Sequence, residues 1–73
     1  MARLRALSAV QVLEILEQHG FVRARQRGSH LAMQRREGDT TLTVIVPMHR
    51  ELRTGTLLSI LRQSKLDRSL FER

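Results

Sequence analysis

The stretch RARQRGSHL brings together residue types that bind anions and transfer protons. Arg23, Arg25 and Arg27 occupy alternate positions, which is the spacing of side chains on one face of a β-strand. Gly28 then favours a turn, and His30 lies in the segment that follows. Arginine binds phosphate oxygens with its planar fork, and histidine titrates near neutral pH. The spacing therefore predicts either a cationic face with a proton-transfer group at its edge or an ordinary solvated hairpin.

Other residues that carry chemistry are less favourably placed. His49 follows Pro47 in a loop, and it can act as an acid partner for His30 only if that loop folds back over the sheet. Ser29 is expected to be a turn residue rather than a nucleophile, because a regular strand directs it away from the face of His30. His19 has the position of a helix-terminus residue. His30 is thus the principal candidate, with His49 as a possible second group.

The sequence lacks the patterns expected of metal and cofactor sites. It has no cysteine, and its three histidines are too widely spaced for a zinc site. No pair of carboxylates stands out, which disfavours metal-dependent nuclease chemistry. We therefore expect no metal ion and no cofactor. With no Trp or Tyr and only two Phe, nucleic acid is expected to bind through arginine and backbone shape rather than by stacking on aromatic rings.

The chain is strongly basic, which indicates a polyanionic partner. Its formal net charge is +6 and its isoelectric point is about 11.7, in only 73 residues. Of the 13 Lys and Arg side chains, only Lys65 is a lysine. Because arginine suits phosphates and base edges, RNA or DNA is favoured over an anionic membrane surface, while an acidic protein partner stays open. No segment has the pattern of a membrane span or a signal peptide, so we expect a cytoplasmic protein.

Hydrophobic spacing and turn residues predict one domain, residues 1–73, with an α+β fold. Ser8 and Gln11 have the spacing of a capping box before a helix. Thr54 is expected to cap a second helix, and Asp67 a short final turn. The predicted elements are a helix over 9–19, strands over 21–26, 29–36 and 40–46, and a helix over 55–64. Both helices are expected to cover one face of a three-stranded antiparallel sheet, since so short a chain cannot cover two.

The period of two in a strand assigns side chains to the two faces of this sheet. The residues expected to face the helices include Val22, Ala24, Leu31 and Met33. The residues expected on the uncovered face are Arg23, Arg25, Arg27, His30, Ala32, Gln34, Thr41, Thr43 and Ile45. The histidine and the arginines then lie on one surface, provided that no bulge at Gly28 shifts the register.

Four motifs occur in order along nearly the whole chain. They are LEQHGF at the end of the first helix, GSH after the first strand, VPMHREL after the third strand and GTLLSILRQ in the second helix. Together they resemble the HicA toxins of bacterial toxin–antitoxin pairs, including their YcfA-like relatives. The resemblance implies a fold like that of double-stranded-RNA-binding domains: a helix, three strands and a helix. It also implies an RNA-cleaving activity, as an mRNA interferase, and a HicB-type antitoxin that covers the active face.

The same resemblance implies roles for particular residues. The histidine of the Gly-Ser-His step is catalytic in that family, and here it is His30. Gly28 and Ser29 match the rest of the step, and His49 matches a Pro-x-His without an established role. On this interpretation His30 takes a proton from a ribose 2′-hydroxyl, while the alternating arginines, Gly28 and Ser29 bind the RNA. The alternatives are a non-catalytic RNA-binding module of the same fold and an interaction protein whose arginine face binds an acidic partner.

Overall fold

The predicted order of elements is confirmed. In a computed structural model, which describes residues 2–72, a helix is followed by three antiparallel strands and a second helix. The elements are α1 (Ala9–Gln18), β1 (Val22–Arg27), β2 (His30–Glu37), β3 (Thr40–Pro47) and α2 (Thr54–Ser64), with a 3-10 turn over Arg68–Phe71 after α2. Where an end of a helix or strand differs from the predicted one, it differs by a single residue.

Helix α1 forms because its first turn is capped and its apolar residues recur at helical spacing. The Ser8 Oγ accepts a hydrogen bond from the Gln11 amide at 3.1 Å, and the Gln11 Oε1 accepts one from the Ser8 amide at 2.9 Å. The buried side chains of α1 are Ala9, Val12, Leu13 and Leu16. Gly20, with a φ of 89°, lets the chain leave the helix toward β1.

Two tight turns connect the strands. β1 and β2 are joined by Gly28 and Ser29, and β2 and β3 by Gly38 and Asp39. In each turn the glycine comes first and has a positive φ, 55° at Gly28 and 61° at Gly38. Glycine at the first of two loop positions is what a type II′ turn requires, and this turn suits the twist of the flanking strands. The strand order in the sheet is therefore β1-β2-β3, without a crossover.

Both helices pack on one face of the sheet, as predicted. The side chains that β2 and β3 direct to this face are buried, and they are Leu31, Met33, Leu42, Val44 and Val46. Both helices contact β3, whereas all six residues of β1 are exposed. The edge strand β1 therefore lies outside the helical layer, and Phe21, just before it, is buried in the core.

Helix α2 begins one residue earlier than predicted, so the prediction that Thr54 caps it is wrong. The capping position is Arg53, whose side chain makes no capping hydrogen bond. The residue that follows the helix, Lys65, caps its C-terminal end with a left-handed backbone and a φ of 59°. Asp67 caps the final turn as predicted, because its Oδ1 accepts a hydrogen bond from the Ser69 amide at 2.8 Å. This hydrogen bond lowers the pKa of Asp67.

The two ends of the described chain lie against each other. Leu4 and Glu72 form an isolated antiparallel bridge, and the Arg5 amide donates to the Phe71 carbonyl at 2.7 Å. The ring of Phe71 is fully buried, so this pairing closes one end of the core. No helix within residues 2–72 is long and apolar enough to span a membrane.

Candidate active site

The face of the sheet that the helices leave uncovered, called the open face below, carries the candidate site. Strand register arranges its side chains in rows across the strands. The rows are Arg27 with His30 and Pro47, Arg25 with Ala32 and Ile45, Val22 with Gln34 and Thr43, and Arg36 with Thr41. The prediction that Arg25, Arg27 and His30 lie on one surface is therefore confirmed.

A small hollow beside His30, called the His30 hollow below, is the centre of this site. It has a volume of about 130 Å³ and is lined by Arg25, Arg27, His30, Ala32 and Ile45. The arginines come from β1, His30 and Ala32 from β2, and Ile45 from β3. Neither arginine takes part in an ion pair within residues 2–72. Both guanidinium groups are therefore free to bind an anion next to the imidazole.

The turn before β2 holds His30 in place. His30 is the first residue of β2, paired with Arg27 on one side and with Pro47 on the other. The Ser29 carbonyl accepts a hydrogen bond from the Met48 amide at 2.6 Å, which ties the turn to the end of β3. Ser29 thus acts through its backbone as a turn residue, as predicted. The side chain of His30 remains exposed to solvent at this corner of the sheet.

The prediction that Arg23 lies on the open face is wrong. A bulge between Arg23 and Arg25 leaves Ala24 as an extra residue in β1. The residues before the bulge therefore point to the opposite face from the one that a regular strand would give them. Arg23 pairs with the buried Met33 and therefore lies on the side of the sheet that the helices cover, at its exposed edge. The turn at Gly28 is regular, so the register shift occurs earlier in the chain than the sequence indicated.

The prediction that Val22 and Ala24 face the helices is wrong for the same reason. Val22 pairs with Gln34 and lies on the open face, with 63% of its surface exposed. Ala24, at the bulge, is exposed as well. Because the helices do not cover β1, no buried side chain fixes which of its residues point toward the core. A strand without such an anchor accommodates a bulge at little cost.

His49 lies beside α1 rather than over the open face. Its carbonyl accepts a hydrogen bond from the Ala9 amide at 3.0 Å, and together with Val10 and Arg50 it lines a separate hollow at the start of α1. That hollow has no lining residue in common with the His30 hollow. The loop thus runs toward the start of α1, and His49 and His30 line different hollows.

Arg35 supports the sheet from the covered side, and the sequence analysis did not identify it. Its Nη1 donates to the His19 carbonyl at 3.1 Å, and its Nη2 donates to the Glu37 Oε2 at 3.0 Å. Its guanidinium also lies 5.0 Å from the centre of the Phe21 ring. These contacts fasten the end of α1 to β2. Arg35 lies two positions after the core residue Met33 in β2, and this spacing predicts that its side chain lies on the covered side.

Arg36 is a further cation of the open face that was not predicted. It pairs with Thr41, two positions along β2 from Gln34. The side-chain amide of Gln34 donates to the Thr43 Oγ1 at 3.3 Å. The alternation that places His30 and Gln34 on the open face also places Arg36 there. The cationic surface therefore extends along β2, away from the His30 hollow.

Comparison with known families agrees with this arrangement. A family model described as HicA toxin of bacterial toxin-antitoxin matches residues 10–66. The matched segment runs from the first turn of α1 to just beyond the end of α2 and includes the whole sheet. No curated protein matches the chain. The resemblance carried by the sequence motifs is thus confirmed over most of the chain.

Proposed function

Because this chain belongs to the HicA toxin family, and is thus a toxin of a bacterial toxin–antitoxin system, we propose that it is an endoribonuclease, an mRNA interferase, whose general acid–base group is His30. The observation that supports this best is the His30 hollow, where the imidazole stands beside Arg25 and Arg27. A proton-transfer group next to two unpaired cations suits phosphodiester cleavage. We expect the reaction to need no metal ion and to take place in the cytoplasm, where the toxin meets mRNA.

The proposed reaction is an attack by the RNA on its own backbone. The neutral imidazole of His30 accepts the proton of a ribose 2′-hydroxyl, and the 2′-oxygen forms a bond to the adjacent phosphorus. The bond from that phosphorus to the 5′-oxygen of the next nucleotide breaks, and this oxygen takes a proton from solvent. The products are a 2′,3′-cyclic phosphate and a free 5′-hydroxyl. A general base of this kind contributes about 10²–10⁴-fold to the rate.

The arginines are proposed to bind the RNA backbone. Arg25 and Arg27 hold the scissile phosphate and stabilise the negative charge that develops on its oxygens. Arg23, at the edge of the covered side, adds positive charge along β1 without contacting that phosphate. Gly28 and Ser29 are proposed to contact the RNA through the exposed backbone of the turn that precedes His30.

The proposed partner of the open face is a HicB-type antitoxin. A cationic surface is masked most effectively by a complementary negative one, so we expect acidic groups of the antitoxin opposite Arg25 and Arg27. Such an antitoxin also covers His30 and excludes RNA from the hollow. A structure of the complex in which His30 stays open to solvent would contradict this mode of neutralisation.

The proposal is tested with the purified chain and an end-labelled mRNA fragment in the presence of EDTA. We expect 5′ fragments that end in a 2′,3′-cyclic phosphate, identified by mass spectrometry, because the attacking group is the 2′-hydroxyl. The matched control is the same RNA with a 2′-deoxy nucleotide at the mapped cut, where cleavage should stop while other sites are still cut. Cleavage at the 2′-deoxy position would exclude the mechanism. RNA that is bound but stays intact would support the alternative, a non-catalytic RNA-binding module.

A further inference from the structure

We propose that the His30 hollow seats a nucleobase of the RNA, with Ala32 and Ile45 as its floor. The inference rests on the proposed RNA cleavage and names the part of the substrate that the site recognises. The base belongs to the nucleotide whose 2′-hydroxyl is deprotonated by His30. Contact with this base adds affinity and positions the nucleotide in a site whose other contacts are made to the phosphate backbone.

Ile45 is the observation that carries this inference. It is a large apolar side chain within the His30 hollow, and 41% of its surface is exposed. On the same face of β3, Thr41 and Thr43 precede Ile45 and Pro47 follows it at the end of the strand, and the two threonines are the polar residues expected of an uncovered strand face. Ile45 pairs directly with the half-buried Ala32, so the two side chains form one apolar patch. The helices lie on the opposite face, and the core therefore gives no reason for this patch.

The position of the patch relative to His30 fits one nucleotide. His30 and Ala32 are two positions apart on the same face of β2, which corresponds to about 6.6 Å along the strand. Within a nucleotide the base is attached to the ribose that carries the 2′-hydroxyl. A ribose placed against His30 can therefore reach Ala32 and Ile45 with its own base, and we propose this orientation. The attached phosphate then lies on the β1 side, next to Arg25 and Arg27.

The chemistry of the lining favours a base over the other parts of a polyanion. The flat face of a nucleobase is apolar enough to rest on aliphatic side chains, whereas a charged phosphate loses its hydration against an apolar floor. The two phenylalanine rings of the chain, Phe21 and Phe71, are both buried and cannot perform this role. The apolar patch of Ala32 and Ile45 therefore takes the place of an aromatic stacking platform.

The test removes the base from the RNA and the Ile45 side chain from the protein, first separately and then together. An RNA oligonucleotide spanning a mapped cut is made with an intact base, or with an abasic ribose, at the nucleotide that supplies the 2′-hydroxyl. We expect loss of the base to lower the kcat/KM of the wild-type chain about tenfold. We expect Ile45→Ala to lower kcat/KM on the intact RNA by a similar factor and to show no further loss on the abasic RNA. The two changes remove the same contact, so their effects are not additive.

Val22→Ala is the matched control. Val22 is the other large apolar side chain on the open face, one row beyond the hollow, and it is exposed to a greater extent than Ile45. This variant should keep the full dependence on the base. Ile45→Thr is the second variant, because it keeps the β-branched shape that suits a strand while it removes apolar surface. Thermal unfolding followed by circular dichroism verifies that each variant is folded.

Binding separates this inference from the proposed cleavage. For this measurement the two oligonucleotides are made with a 2′-deoxy sugar at the cut, so that they are not cleaved there. Their affinities for the chain are measured by fluorescence anisotropy. A base-dependent affinity that disappears in Ile45→Ala supports the nucleobase site even if the chain cleaves no RNA. The inference is overturned if Ile45→Ala binds and cleaves intact RNA within about twofold of the wild type, or if it keeps the full abasic penalty. An unaltered variant of this kind would assign the patch to a protein contact instead.

Discussion

Arg23 and Arg25 are two residues apart in β1, yet the bulge at Ala24 places them on opposite sides of the sheet. Both side chains are exposed, and each contributes one positive charge. Arg25 lines the His30 hollow, whereas Arg23 pairs with the buried Met33. The two arginines therefore form a natural pair for separating contact with the scissile phosphate from general electrostatic attraction.

Arg25→Gln should lower the kcat/KM for RNA cleavage about tenfold, because it removes a charged hydrogen bond to the phosphate. Arg23→Gln removes the same charge and serves as the control, for which we expect a clearly smaller loss. General attraction to RNA should weaken to the same extent in both variants, and the salt dependence of binding measures it. Equal losses of kcat/KM in the two variants would show that only net charge matters and that the register of β1 is irrelevant to catalysis.

At the scale of elements, the capping box of α1 makes a prediction about stability. Ser8→Ala removes the hydroxyl that accepts a hydrogen bond from the Gln11 amide, and it should lower the free energy of unfolding by about 1 kcal/mol. Urea denaturation at neutral pH measures this change. Ser29→Ala is the matched control, since the Ser29 hydroxyl makes no hydrogen bond within residues 2–72. If both variants are equally stable, the capping box does not stabilise the helix.

The elements also differ in how far the sequence predicts them. The start of α1 depends on local signals, namely the spacing of Ser8 and Gln11 and the helical period of buried residues, and it was predicted to the residue. β2 and β3 were predicted with their correct faces because alternate residues such as Leu31 and Val44 must be buried. β1 has no buried residue, so its pattern of alternation does not reveal the bulge at Ala24.

The same distinction applies to the candidate site. The buried residues Leu31 and Met33 determine which face of the sheet each residue of β2 occupies. The position of His30 on the open face follows from this alternation and was predicted correctly. The position of His49 depends on where a loop leads after Pro47. The loop is held by a hydrogen bond from the Ala9 amide to the His49 carbonyl. These two residues are distant in the chain, and no local sequence pattern predicts their contact. Sequence reasoning therefore predicted the position of His30 but not that of His49.

At the scale of the whole molecule, the distribution of charge matters more than its total. Within residues 2–72, the ion pairs join Arg35 and Lys65 to Glu37, and Arg68 to Glu72, all away from the His30 hollow. On the open face, Arg25, Arg27 and Arg36 take part in no ion pair within residues 2–72, so this face carries uncompensated positive charge. An anionic ligand that binds this face relieves the repulsion among its arginines. This is the physical reason that RNA and an acidic antitoxin surface are proposed for the same site.

The most direct test of the account compares His30→Ala with His49→Ala in single-turnover cleavage of one RNA, with EDTA present. We predict that His30→Ala lowers the cleavage rate by about 10² or more, while it still folds and binds RNA, because it removes the general base. His49→Ala should retain cleavage, since His49 lines a different hollow. Undiminished cleavage by a folded, RNA-binding His30→Ala chain would contradict the central claim.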